Sequence, residues 1–130
     1  MKVLALDYGA ARTGVAVSDA TGTIALPRDV VVRAGEPAGL ERIAEIVREE
    51  GAELVVVGLP LTLRGEVGAQ ARETEGFVRA LREALDVPVE TYDERFTTTL
   101  ATGGSGRAPE DARAAAHLLE GYLRRTGGSR

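Results

Sequence analysis

The stretch Lys2–Ser18, KVLALDYGAARTGVAVS, decides the fold. Lys2 to Leu6 is a compact apolar run, Asp7 to Arg12 reads as a turn, and Thr13 to Ser18 begins a second β-rich run, which together make a hairpin. A third strand is expected within Ile24–Arg33, around Val30, Val31 and Val32, with Pro27 marking an irregularity before it. Three antiparallel strands therefore come first.

Beyond them the periodicity changes. From Pro37 to Glu50 the apolar positions Leu40, Ile43, Ala44 and Val47 recur at helical spacing, and Gly51 follows as a stop. Leu54–Val57 is a continuous branched run bounded by Gly58 and Pro60, expected as a parallel strand buried on both faces. Gly68–Leu85 returns to the helical pattern through Ala71, Thr74, Phe77, Val78 and Leu81, and Val87–Tyr92 gives a short strand with Pro88 at its start. Thr97–Ala108, with Gly103, Gly104 and Gly106, suits a mobile loop rather than a linker between domains. Pro109 opens a last helix to about Arg125, whose apolar side is Ala112, Ala115, Leu118, Leu119, Tyr122 and Leu123. Ala114 and Ala115 are small enough to let it approach the sheet, and residues 126–130 are expected to fray. The order βββαβαβα implies an α/β fold, a five-stranded mixed sheet with helices on both faces and ligands at the carboxyl ends of its strands.

Composition narrows the chemistry. The chain has 130 residues, 44% of them hydrophobic, which suits one domain with its own core. It has no cysteine, so thiolate nucleophiles and cysteine-ligated metals are excluded, and the single histidine, His117, cannot make a zinc site alone. The start lacks the apolar region of a signal peptide and no run of about 18 apolar residues occurs, so a cytoplasmic protein without membrane contact is expected. A formal net charge of −4 gives no global footprint for nucleic acid, so any such binding must be local. Only five aromatic residues are present, which argues against recognition by base stacking.

Four carboxylates fall near one end of this arrangement: Asp7 after the first strand, Asp93 and Glu94 after the last, and Asp111 in the first turn of the last helix. A magnesium site needs only a few such oxygens plus those of a phosphate, and paired ions can stabilise attacking and leaving oxygens in phosphodiester cleavage. Each acid also has a plainer reading. Asp7 can cap a hairpin turn, Asp93 and Glu94 can be a solvated strand end, and Asp111 can complement the helix dipole. Strand alternation does not choose between Asp93 and Glu94, because register can break at a strand's end. Gly9 and Gly14 permit positive φ and close approach of a phosphate. Arg12, Arg64, Arg95 and Arg107 are expected in loops at the same end, as phosphate contacts or as ordinary surface arginines.

In order and spacing, LALDYGAARTGVAVSD (Leu4–Asp19), VVVGLPLTLRGEVG (Val55–Gly68), YDERFTTTLA (Tyr92–Ala101) and DARAAAHLLEGYL (Asp111–Leu123) resemble the YqgF/RuvX family. The resemblance implies a ribonuclease H-like fold over residues 1–125, a minimal version of the RuvC resolvase arrangement. It implies a magnesium- or manganese-dependent endonuclease of the two-metal type, since members are described as Holliday junction resolvases and as nucleases maturing the small-subunit (pre-16S) ribosomal RNA precursor. Asp7, Asp93, Glu94 and Asp111 match the family's catalytic, metal-ligating acids. Arg95, Thr97 and Thr98 match the rest of its Asp-Glu-Arg motif and would position a phosphate beside Gly9, Arg12, Arg64 and Arg107. The sequence departs from the family in having Ala11 where a basic residue usually precedes Arg12, and in a shorter, Gly-rich stretch between Thr98 and Asp111. The implied partner is RNA and/or branched DNA, and the implied state a monomer or weak homodimer, because paired cleavage of a four-way junction requires two sites related by a twofold axis. Two other readings compete. One is a non-catalytic RNA-binding ribosome-assembly factor on the same fold. The other is a nucleotide-binding turn like that of the sugar kinases, which close two such domains where this length provides one.

Overall fold

The computed structural model describes residues 1–94 and 109–127. Three strands come first: β1 (Val3–Asp7), β2 (Arg12–Ser18) and β3 (Ala25–Val32). β1 pairs antiparallel with β2, placing Asp7 opposite Gly14, and β2 pairs antiparallel with β3. Thr13 closes the first turn, its buried hydroxyl accepting from the Gly9 N–H and donating to the Gly9 carbonyl, each at 3.3 Å. Arg12, expected in the turn, is instead the first residue of β2. Pro27 lies inside β3, opposite Ala16, where the register shifts between Val15 and Ala16. The missing N–H is tolerated because β3 is an edge strand.

α1 (Pro37–Glu50), β4 (Leu54–Leu59), α2 (Ala69–Ala84), β5 (Val89–Asp93) and α3 (Glu110–Gly127) follow. Proline at the first turn of α1 spares an N–H that would have no partner. Gly51 ends the helix at φ 65°, its N–H donating to the Arg48 carbonyl. β4 runs through Gly58 rather than stopping before it. Thr126 and Gly127, expected to fray, are helical, with the Thr126 hydroxyl donating to the Tyr122 carbonyl at 2.8 Å. The loop expected at Thr97–Ala108 lies outside the described residues.

The sheet order is β3-β2-β1-β4-β5, with β4 parallel to both β1 and β5. This is the five-stranded mixed sheet anticipated from the element order, with helices on both faces. Alternation along the strands sorts the core into two clusters. Leu4, Leu6, Val15, Val17, Val55, Val57 and Val89 pack with Ile43, Ile46, Phe77 and Leu81 of α1 and α2. Val3, Ala5, Ala16, Leu54, Val56 and Tyr92 pack with Ala115, Leu118, Leu119 and Leu123 of α3. Ala112 and Ala115, rather than Ala114 and Ala115, lie fully buried against the sheet, because the 3.6-residue period turns Ala114 aside. Burial of such large apolar side chains, about 1.5–3 kcal/mol each, outweighs the surface ion pairs that tie Arg28 and Arg42 to Asp29 and Glu49. At the other edge of the sheet, the Arg82 guanidinium donates to the Val89 carbonyl at 2.8 Å. Among the described residues no helix is long and apolar enough to cross a membrane.

Candidate active site

The same alternation that builds the core aims the acids. Val3 and Ala5 face α3, so Asp7, two residues on, faces α3 as well, while Tyr8 turns to the other side and stacks on Phe77 with ring centroids 4.3 Å apart. Glu90 accepts from the Tyr122 hydroxyl of α3 at 3.1 Å, and Tyr92 packs beneath that helix, so Glu94 continues on the α3 face. Asp93 shares the parity of Val89 and is directed to the α1/α2 face. Tertiary structure thus separates two neighbours that the sequence left equivalent.

Two glycines make room for this convergence. Gly14, opposite Asp7, lies under the first turn of α3, where a Cβ would overlap the Asp111 carbonyl and come within 3.1 Å of the Ala112 nitrogen. Gly58, one residue beyond the Leu6–Val57 pair, lies beneath Glu94, where a Cβ would be 2.7 Å from Glu94 Oε2 and 3.0 Å from Leu118. The space for Asp7, Glu94 and Asp111 is therefore a notch whose floor lacks side chains on both neighbouring strands. Gly9 and Gly14 do not have the positive φ expected of them; among the described glycines it occurs at Gly22, Gly51 and Gly65. Close packing is what requires glycine here, since a Cβ on Gly9 would stand 2.5 Å from the Arg12 carbonyl oxygen. In the sequence Gly58 reads only as the boundary of the Leu54–Val57 run, although a glycine inside a branched strand is itself a signal of close approach.

Electrostatics follow from the crowding. Burial, and then the Asp111 charge, raise the Asp7 carboxyl above its ordinary value. Burial, and then the charges of Asp7 and Asp93, push Glu94 up to about 7. Like charges gathered in a half-buried notch favour a proton or a cation there. Among the described residues no three acids or histidines stand ready-grouped to hold a metal ion. Asp111 is engaged elsewhere, its Oδ2 lying 3.0 Å from Arg12 Nε.

Of the expected substrate contacts, Gly9 and Arg12 lie at this end of the sheet. Arg64 is exposed in the loop that leaves β4 at the same end, a turn in which Gly65 donates to the Thr62 carbonyl at 2.8 Å. Arg95, Thr97, Thr98 and Arg107 lie outside the described residues. A groove of about 730 Å³ lined by Met1, Leu54, Tyr122 and Arg124 opens at the opposite end of β1 and β4 and takes no part in the notch.

A five-stranded mixed sheet in this order, flanked by helices on both faces, is a ribonuclease H-like fold. The chain belongs to the RuvX family, whose model, described as "Holliday junction resolvase", matches residues 1–125. A relative from Rubrobacter xylanophilus named "Putative pre-16S rRNA nuclease" is 44% identical over 136 aligned positions, covering 98% of this chain and 96% of its own length. A relative of the same name from Desulforudis audaxviator is 39% identical, with 95% and 94% covered. Among solved structures, T. thermophilus RuvC in complex with Holliday junction substrate superposes with a TM-score of 0.65 over 97% of this chain and 96% of that one, at 22% identity, a likeness of fold. The family is one of nucleases.

Proposed function

We propose that this chain is a magnesium- or manganese-dependent endonuclease that hydrolyses phosphodiester bonds in structured nucleic acid, with the pre-16S ribosomal RNA precursor as its principal substrate and the four-way DNA junction as the second. The observation that carries the reading is the gathering of Asp7, Glu94 and Asp111 on one face of the sheet, over a floor of two glycines. A donor set of carboxylate oxygens suits a hard divalent cation, and the burial and mutual repulsion that raise Asp7 and Glu94 are what such a cation would offset. Asp7, Glu94 and Asp111 would hold it, and Asp93 would act from behind through its charge. Bound there, the cation would supply a Lewis acid for the phosphoryl oxygens and neutralise charge in the in-line displacement.

The remaining roles belong to the chain's own groups. Gly9 lets a phosphate approach the backbone of the turn, Arg12 and Arg64 offer guanidinium forks to neighbouring phosphates, and Arg95, Thr97, Thr98 and Arg107 complete the grip by resemblance to the family. One site suffices to cut RNA, so a monomer or weak homodimer in the cytoplasm fits this role.

Manganese titration by calorimetry, run beside cleavage of labelled ribosomal RNA precursor and of a synthetic junction, tests the proposal. Metal binding and cleavage should both vanish in Asp7→Asn, and the substrate cut faster assigns the role. RNA binding that needs no metal, without cleavage and unchanged in the variant, would leave an assembly factor instead.

A further inference from the structure

We propose that Arg12 is an exchangeable latch on Asp111, holding that carboxylate until a divalent cation takes the carboxylate and a substrate phosphate takes the guanidinium. The inference rests on the reading of the notch as a divalent-cation site. Arg12, Gly14 and Ala16 alternate on the α3 face of β2, and the first turn of α3 is seated on Gly14, so Arg12 stands beside Asp111 by construction. The contact is direct, Nε to Oδ2 at 3.0 Å.

A guanidinium has five donors and no acceptor, so it cannot itself ligate a cation, and at Asp111 Oδ2, which it holds, the two positive groups compete. That competition fits the finding that, among the described residues, no three acids stand ready-grouped for a metal. The Arg12 side chain is 65% exposed, which keeps the pair weak, about fivefold or less as an equilibrium factor, and leaves the side chain free to swing. Once displaced, the same fork suits two oxygens of a backbone phosphate. Cation and phosphate then favour each other's binding, because each removes the partner that held the other's ligand.

The rival role for Arg12 is to orient Asp111 from behind, as outer groups orient metal-binding carboxylates, and its removal would then weaken metal binding by about 10–100-fold. The latch predicts the opposite sign. Manganese is titrated calorimetrically into the full chain without nucleic acid, for the wild type, Arg12→Gln, Asp7→Asn and Arg33→Gln. Arg33 is an exposed arginine following β3 that pairs with Glu36 rather than with the notch, so its loss controls for general charge. Arg12→Gln should bind manganese about three- to fivefold tighter than the wild type, with Arg33→Gln within about twofold of it. Equal or weaker binding by Arg12→Gln, with Asp7→Asn still abolishing it, would overturn the latch and leave the cation site standing. An equal gain in Arg33→Gln would also overturn it, as a general charge effect. No binding by the wild type would overturn both readings.

Discussion

Gly14→Ala tests whether the site depends on the contact between β2 and α3. The added methyl would overlap the Asp111 carbonyl and press on the Ala112 nitrogen at 3.1 Å, so backbone opposes it on every close side. Restoring ordinary carbon contact distances requires α3 to lift by more than about 1 Å, and overpacking of this kind typically costs about 1–3 kcal/mol. The upper end applies, because a lifted helix also loosens Ala112, Ala115 and Leu119, all buried against the sheet. For a chain of 130 residues, about 3 kcal/mol corresponds to a fall in Tm of roughly 10–15 °C. Gly58→Ala makes the comparison informative, since its methyl meets the side chains of Glu94 and Leu118, which can rotate away. It should cost about 1 kcal/mol or less while still displacing Glu94. Urea unfolding together with manganese titration reads both effects. A Gly14→Ala protein within about 0.5 kcal/mol of wild type, binding manganese normally, would refute the reasoning that Gly14 sets the position of Asp111.

Three further outcomes are expected. Because Glu94 is raised to about 7 from 4.5, the folded state holds its proton more tightly than the unfolded chain does, so its contribution to stability is fully present below about 4.5 and is lost as pH rises to about 7. The metal-free wild type should therefore lose more Tm between about pH 5 and 7.5 than Glu94→Gln, and parallel melting curves would count against this environment. Asp7→Asn removes a half-buried charge facing Asp111, so thermal melts at neutral pH without divalent cations should show a higher Tm than wild type, with the stabilisation by added manganese gone. Phe77→Ala opens a cavity beside Leu81 and removes the ring on which Tyr8 stacks, and should cost about 3–5 kcal/mol in urea unfolding.

The sequence by itself determined the elements and their order, because strand and helix periods and the punctuation by Gly51, Pro60 and Pro109 are local signals. It also determined that acids gather at the carboxyl end of the sheet, since Asp7 ends one apolar run, Asp93 and Glu94 follow another, and Asp111 begins a helix. Tertiary structure decided which of these acids meet. Glu94 joins Asp7 because β5 keeps its alternation through Tyr92, which packs under α3, and that packing is a long-range contact with no local signature. The work of Gly14 and Gly58 was equally hidden, because a glycine's use in close approach depends on what lies above it, here a helix and a carboxylate that arrive nearly a hundred and about forty residues later in the chain. The same holds for Arg12, legible as a basic residue in a conspicuous motif, whose bond to Asp111 exists only because the sheet carries the ends of the chain together.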